Sequence, residues 1–456
     1  MRAMMALVAF FDLEAFAYDV LNAFLNAQLQ RRVYVHPPEG FRHLAELLLL
    51  RKALYGLKES PNLWYNDFTG TLAELGLRPV PDSPCLFVSD QLIVYFYVDD
   101  ITIICKTRDL PILKDFESKL CNKYKIRKLG PIEWFLGVRI IRDRPNRKIW
   151  LCQDSYIEGV ANKFDLWPSN SRFPSTPRST EELLPSTEEP DEQRTHRYQQ
   201  LTGHLGYAAC ITRPDISLAH SNFARFNINP SSKHLSEVIR CWRYLIGTRH
   251  YALQALPGPE ETRDRCTFYL EAERTDHLQD DFVVASDAAF ADDRVTRCSS
   301  QGYLFKLFGM PVDWKSTLQR TVTKSTTHAE LLALSAVGSE LQWWKRVLKQ
   351  IGLEIDPQPT ILCDNLQTVR IVNKDAARLQ TTLKHVDIHQ MWLREQVQAG
   401  NITVDWIKTA DQPADGLTKP LPRQRHEAFV RQLGLTDISE LIASNTPEAG
   451  GVVQST

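Results

Sequence analysis

QLIVYFYVDDITIICKT, residues Gln91–Thr107, sets two adjacent carboxylates, Asp99 and Asp100, inside an apolar, β-branched run. Such a run predicts a buried strand or hairpin. An unpaired carboxylate is costly to bury, and two side by side add like-charge repulsion. A divalent cation that prefers hard oxygen ligands, such as Mg²⁺, is the simplest group that offsets both costs. A solvent-facing Asp-Asp turn is the other reading of the same pair, because Asp is a common turn residue.

Around this stretch, the chain of 456 residues is longer than one domain, and its length suggests about three. With 43% hydrophobic and 24% charged residues the composition is globular and can bury sizeable cores. The net charge of −1 advertises no bulk affinity for nucleic acid, although the field of a cleft depends on how charge is distributed. Nine cysteines form no C-x-x-C pair and no Cys/His cluster at zinc spacing. That argues against a zinc module and a disulfide scaffold, and fits a reducing compartment, the cytoplasm or the nucleus. The opening MRAMMALVAFF is similar to a short signal segment, yet it carries a single Arg2 and runs into Asp12 and Glu14. It reads as a core helix. No apolar stretch is long enough to span a bilayer, so no membrane partner is expected.

In order, residues 3–17 read as a largely buried helix. Asp19 then ends an apolar segment, as a displayed metal ligand or as the N-cap of a helical run after it. In KALYGLKESPNLWYNDF (52–68), Gly56 permits close backbone approach by a ligand. The same stretch also reads as a plain turn, with Ser60 capping a helix and Pro61 at its first position. DSPCLFV (82–88) and LIVYFYVDD (92–100) pair as a hairpin. Residues 119–148 hold ten Lys/Arg against two Asp/Glu, with Trp134 and Phe135 between them. This is either a solvated face or a duplex-gripping surface of cations and rings. Residues 168–195, with five Pro and an acidic cluster from Glu181 to Glu192, read as a linker or long surface loop. Residues 196–256 read as helices, broken at Arg213-Pro214-Asp215 and turning at Asn229-Pro230. His204, His220 and His234 are too widely spaced for a local zinc site and read as packing or phosphate-facing residues.

A second set of acids begins near residue 282. FVVASDAAFADD is a strand ending in Asp287, and GYLFKLFGMPVDWKS supplies two more strands. THAELLALSAVGSELQWWKRVLKQIG is an amphipathic helix with Glu330 in its first turn. PTILCDN is a strand ending in Asp364, and VDWIKTADQPADGLTK leads into a helix start carrying Asp415. Taken singly, each acid has a structural role open to it. Asp287 and Asp364 cap the segments after them, Glu330 forms a capping box with Thr327, and Asp415 favours a helix N-terminus. Together they are four carboxylates on strand end, helix, strand end and helix.

DVLNAFLNAQL, RKALYGLKESPNLWY, DSPCLFV, YVDDITIICKT, LGPIEWFLGVRI and STP come one after another in the order and spacing of the reverse transcriptase of copia-type retrotransposons, and the chain resembles that family. SDAAFADD, SSQGY, STTHAELLAL, CDN, LKHVDI and ADGLTK match its RNase H pattern in order. The resemblance implies an α+β and α/β chain: a right-hand polymerase palm at 1–167 and a linker at 168–195. A helical thumb or connection at 196–262 and an RNase H-like domain at 280–443 come next, then a disordered tail. It implies that Asp19 and Asp99 bind metal with Asp100 as companion, and that Phe24 is a steric gate against a ribose 2′-OH. Gly56 and Lys58 then lie near the nucleotide or template, Tyr97 faces the primer terminus, and Phe135, Leu136 and Gly137 belong to a primer grip. Asp287, Glu330, Asp364 and Asp415 become a second metal-binding quartet. The implied activities are RNA-directed DNA synthesis and hydrolysis of RNA in RNA–DNA hybrids, with two Mg²⁺ per site. The implied partners are an RNA template, a DNA primer, the hybrid and dNTPs, with a second copy or other polyprotein products alongside.

Only 18 residues precede Asp19, where family members carry a fingers subdomain, so the chain is expected to lack that electrostatic clamp and to bind nucleotide poorly. The segment between Phe41 and Arg51 reads as shortened. Hybrid cleavage alone, or nucleic-acid binding without catalysis, are the two alternative functions.

Overall fold

The computed structural model describes residues 1–260, 282–353, 358–373 and 384–445, apart from Leu44 and Ser171; for 384–388, 390 and 445 it describes the backbone alone. Helix α1 (Arg2–Phe10) stops well short of residue 17. Asp12 turns the chain in the left-handed region, φ +54°, and β1 (Glu14–Val20) comes after it. The expected helix over 3–17 is therefore a helix and a strand. Periodicity could not separate them, because a strand buried on both faces reads as an unbroken apolar run.

A two-stranded ribbon, β2 (Gln28–Val35) and β3 (Leu48–Lys52), comes next. It leads into α2 (Ser60–Glu74), β4 (Arg78–Val80), β5 (Ser83–Val88), β6 (Leu92–Tyr97), β7 (Asp100–Cys105), α3 (Leu110–Lys123) and β8 (Ile126–Pro131). The first sheet has the order β4-β5-β6-β7-β1-β8, so β1 lies between the hairpin partner β7 and β8. On one face Trp64, Phe68 and Leu72 of α2 and Leu113, Phe116 and Leu120 of α3 cover Tyr18, Val94, Phe96 and Ile101. Ser60 does not cap α2. It is the first helical residue, and its hydroxyl closes the preceding turn, donating to Leu54 O (2.7 Å) and accepting from Leu54 N (3.1 Å).

The second sheet is assembled from three distant parts of the chain. β9 (Trp134–Phe135), β10 (Val138–Asp143) and β11 (Lys148–Cys152) are consecutive. After α4 (Asp154–Phe164), α5 (Glu192–Ile211), α6 (Ser217–Ala224) and α7 (Ser232–Gly247), β12 (Tyr251–Ala255) pairs with β11. The helical reading of 196–256 thus gives way to a strand at its end. The Arg213-Pro214-Asp215 break stands, as a 3-10 turn at Pro214–Ile216. Residues 168–191 contain no helix or strand, apart from undescribed Ser171, yet they pack down: Ser179 N donates to Glu237 (3.0 Å) and Ser232 N to Glu188 (3.0 Å).

The third sheet contains β13 (Phe282–Ala289), β14 (Ser300–Leu307) and β15 (Met310–Leu318). After α8 (Thr326–Gln350) come β16 (Thr360–Cys363), α9 (Leu366–Val372), α10 (Lys384–Gln398) and β17 (Thr403–Trp406). Its order is β15-β14-β13-β16-β17, antiparallel on one side of β13 and parallel on the other. After α11 (Arg423–Gln432), β18 (Leu435–Asp437) returns to pair with β12 on the second sheet, and α12 (Ser439–Asn445) comes last. The disordered tail expected at 444–456 starts inside α12, which still holds Ser444 and Asn445; from 446 onward it lies outside the described residues. Among the described residues no helix is long and apolar enough to cross a membrane, and the cysteines are free thiols.

Candidate active sites

The first site grows out of the β6–β7 hairpin. Tyr97 and Asp100 are its closing pair, leaving Val98 and Asp99 as a two-residue turn. Val98 has φ +56°, which suits the twist of a tight hairpin but is costly for a β-branched residue. Two bonds hold the turn: Trp64 Nε1 donates to Val98 O (2.8 Å), and Val20 N donates to Asp99 O (3.0 Å). On β1, Asp19 stands directly opposite Asp100. Directly opposed residues of an antiparallel pair project from the same face, so Asp19, Asp100 and Tyr97 share one side of the sheet end. Burial pushes the Asp100 carboxyl up, and the charges of Asp99 and Asp19 add to the shift. The three do not form a group whose oxygens all lie within 4.8 Å of one another.

Phe24 sits in a 3-10 turn at Ala23–Asn26, its ring 4.6 Å from that of Tyr55. Desolvation raises the pKa of the Tyr55 hydroxyl, and the charges of Asp99 and Asp19 add to the shift. Gly56 has φ +93°, so its turn requires glycine on conformational grounds, and Lys58 is exposed. Tyr97 is 57% exposed. Phe135 is buried and packs edge-on against Tyr95, so it supports the sheet rather than facing solvent. Leu136 (φ +50°) and Gly137 (φ +72°) form the tight β9–β10 turn, and Tyr207 OH donates to Leu136 O.

The basic run over 119–148 is largely spent on the protein itself. Arg142 donates to Leu13 O (2.7 Å), Arg144 to Glu14 (2.7 Å) and Arg147 to Phe10 O (2.6 Å). Lys128 pairs with Glu117, and Arg139 bridges Asp154 (3.2 Å) beneath the Trp134 ring. The open cationic surface expected from this run is thus smaller than its charge count. Its acidic partners lie outside the run, which hid them from a local reading.

The second site lies on the third sheet. Asp287 is on β13, Glu330 on α8, and Asp364 one residue past β16. One oxygen of each lies within 4.8 Å of the others, with Asp287 and Glu330 buried and Asp364 half-buried. The capping roles fall to neighbours. Ser325, not Thr327, caps α8 by accepting from His328 N (3.1 Å), and Asn365 caps α9 by accepting from Thr368 N (3.0 Å). The acids are left free to converge. Burial raises the Glu330 carboxyl well above its ordinary range, and Asp287 and Asp364 add to that, against an Ala288 N–H contact (3.3 Å). Asp287 is also raised by burial, with Lys419 and the Thr418 hydroxyl opposing. Three carboxylates closing on one point are a hard-oxygen donor set that fits Mg²⁺.

Asp415 departs from the expected quartet. It is buried at the start of a 3-10 turn, but Lys419 Nζ (2.8 Å) and Arg425 (2.7 Å) take one oxygen each. Lys419 also reaches Asp287 Oδ2 at 3.3 Å. Burial alone would lower the Lys419 ammonium; Asp287 and Asp415 outweigh it and hold it above the usual lysine range. Sequence reasoning missed Lys419, although its spacing four residues after Asp415 was the available signal.

Residues 1–177 match the family model described as reverse transcriptase (RNA-dependent DNA polymerase). Over 450 residues the chain is 32% identical to the retrovirus-related Pol polyprotein from transposon TNT 1-94 of Nicotiana tabacum, covering 95% of this chain and 32% of that relative. It is 31% identical over 428 residues to the corresponding polyprotein from transposon RE1 of Arabidopsis thaliana, covering 92% and 27%. With the transposon Ty1-GR2 Gag-Pol polyprotein of Saccharomyces cerevisiae the identity is 26% over 420 residues, covering 89% and 23%. The chain therefore spans about a third or less of the length of these relatives. Among solved structures, LC11-RNase H1 in complex with an RNA/DNA hybrid aligns with 30% of this chain and 93% of its own, at 16% identity and a TM-score of 0.24. Residues 1–177 are thus a reverse transcriptase domain, and the chain is related along nearly its whole length to the Pol polyproteins of copia-type transposons in plants and yeast.

Proposed function

We propose that this chain carries two divalent-metal phosphoryl-transfer centres: an RNA-directed DNA polymerase on the first sheet and an RNase H on the third. The convergence of Asp287, Glu330 and Asp364 carries the reading, because three acids from separate elements have little other reason to share a buried point. Mg²⁺ bound at each centre would activate the attacking oxygen and steady the leaving group. At the first centre Asp19 and Asp99 hold the metal, with Asp100 beside them. Phe24, backed by Tyr55, limits space at the ribose 2′-position of an incoming dNTP. Exposed Tyr97 meets the DNA primer terminus on an RNA template, and the Leu136–Gly137 turn orients the primer strand. Gly56 and Lys58 border the nucleotide. At the second centre Asp287, Glu330 and Asp364 hold the metal, and Asp415 completes the acidic wall. A hybrid is read there by shape and 2′-OH contacts rather than base edges.

The test is primer extension on poly(rA) beside Mg²⁺-dependent cleavage of RNA in a labelled hybrid. Asp99→Asn should cut extension about 100-fold or more and spare cleavage, and Asp364→Asn should do the reverse. Activity unmoved by both substitutions defeats the assignment. The wider spacing of the first set favours, as second reading, an RNase H acting alone; cleavage without any extension selects it.

A further inference from the structure

Lys419 lies between two acids of the second centre. Its Nζ is 2.8 Å from Asp415 Oδ1 and 3.3 Å from Asp287 Oδ2. Arg425 holds the other Asp415 oxygen at 2.7 Å, and the Thr418 hydroxyl donates to Asp287. The fold sets this up locally. Asp415 opens a 3-10 turn, Lys419 N donates to Asp415 O at 3.0 Å, and the lysine side chain folds back over the acid four residues before it. The acids therefore divide. Asp287, Glu330 and Asp364 converge on one another, while the Asp287–Asp415 edge is bridged by an ammonium.

We propose that Lys419 is a resident counter-ion at the Asp287–Asp415 edge, and that a second divalent cation binds there only by displacing it. The proposal rests on the RNase H reading of this centre. Buried Asp287 faces the charges of Asp364 and Asp415, and a nearby cation offsets them whenever no metal is bound. Lysine suits the task because its compact charge rides on a flexible stem. The side chain is 37% exposed, so it can swing outward without unfolding its surroundings. A first cation, taken by the three converging acids, leaves the ammonium in place. A second must take the Asp415 edge, where it meets a like charge at close range.

The experiment is Mn²⁺ binding to the full chain, followed by calorimetry and by the spin-resonance signal of free Mn²⁺. Asp19→Asn and Asp99→Asn are built in so that the second centre alone reports. With Lys419 present, one tighter and one weaker Mn²⁺ are expected. Lys419→Met and Lys419→Gln should each strengthen the weaker step roughly tenfold. Lys419→Arg, which keeps the charge, should stay near the parent. The neutral variants should also melt lower than the parent in chelator and gain more in Tm on saturation with Mn²⁺. Should both neutral variants give the parent's isotherm, the proposal is overturned. Hybrid cleavage, scored separately, isolates the cause. Cleavage with coincident isotherms removes Lys419 from this role and keeps the RNase H reading. A chain that binds no Mn²⁺, whichever residue stands at 419, loses both.

Discussion

Val98 holds the most strained backbone of the first site. A β-branched residue at φ +56° costs on the order of 1–3 kcal/mol, and it persists because Trp64 and Val20 fix the carbonyls of Val98 and Asp99. The strain sits immediately before Asp99 and sets where that acid projects. Val98→Gly should raise unfolding stability in urea by about 1 kcal/mol, since glycine relieves the strain but adds freedom to the unfolded chain. The same change should lower primer extension by loosening the turn. Asp215 teaches a different lesson at the same scale. Its place after Arg213-Pro214 marked a helix break, which the structure shows. Nothing local hinted that the two flanking charges meet as a fully buried fork, Nε to Oδ1 at 2.9 Å and Nη2 to Oδ2 at 2.7 Å, with Tyr244 OH donating to the same carboxylate at 2.7 Å. Asp215→Asn leaves a guanidinium buried without counter-charge and should cost about 3–5 kcal/mol in urea unfolding.

Elements were legible where a local pattern decided them. The β5–β6 hairpin, the β14–β15 pair, α8 and the Pro214 break can all be read from period, turn residues or a proline. They were illegible where pairing decided them. The segment over Glu14–Val20 continues the apolar run of α1, but β7 and β8 claim both of its edges. Tyr251–Ala255 is a strand because β11 and β18 offer it two partners, one of them some 180 residues away. The candidate sites divide in the same way. Asp287, Glu330 and Asp364 could be named from their order along the chain, but Ser325 and Asn365 had to be seen capping the helices before the acids were free. Asp415 could be named too, whereas its two cations could not. The returning β18 also makes a prediction. Ile438, just beyond it, is buried with Trp150, Cys152 and Ala252 on the sheet that carries the β9–β10 turn. Ile438→Ala should cost about 2–4 kcal/mol in urea unfolding, with loss of protection from hydrogen exchange in β11 and β12.

At the scale of the molecule, motif order divides the chain near residue 280, but packing does not respect the division. One apolar cluster runs from α1 and β1 through β10 to β12 into the third sheet and α8. Phe10 stacks on Phe308 with ring centroids 3.7 Å apart, and Asp82 on the β4–β5 turn receives Arg346 (3.1 Å) and Gln350 (3.2 Å) from α8. A polar joint completes the union at the C-terminal end, where His426 of α11 meets Tyr244 of α7 at 2.9 Å. Tyr244 gives its proton to Asp215, so its oxygen must accept from His426, which fixes the Nε2–H form of the imidazole. Burial holds the His426 pKa below its ordinary value, with Asp215 pulling it up and Arg213 pushing it down. In the window between that depressed value and about 6.5, the unfolded chain binds the proton that the folded chain refuses. Stability from this joint is therefore complete above about pH 6.5 and drains away as the pH falls through the folded value. His426→Gln keeps a donor for Tyr244 and cannot titrate. The stability gap between wild type and His426→Gln, measured by urea unfolding at about pH 7, 6 and 5, should narrow step by step toward acid. A gap that stays constant across those three pH values would mean that the imidazole titrates alike in the folded and unfolded chain, and that the joint between α7 and α11 carries no penalty for its protonation.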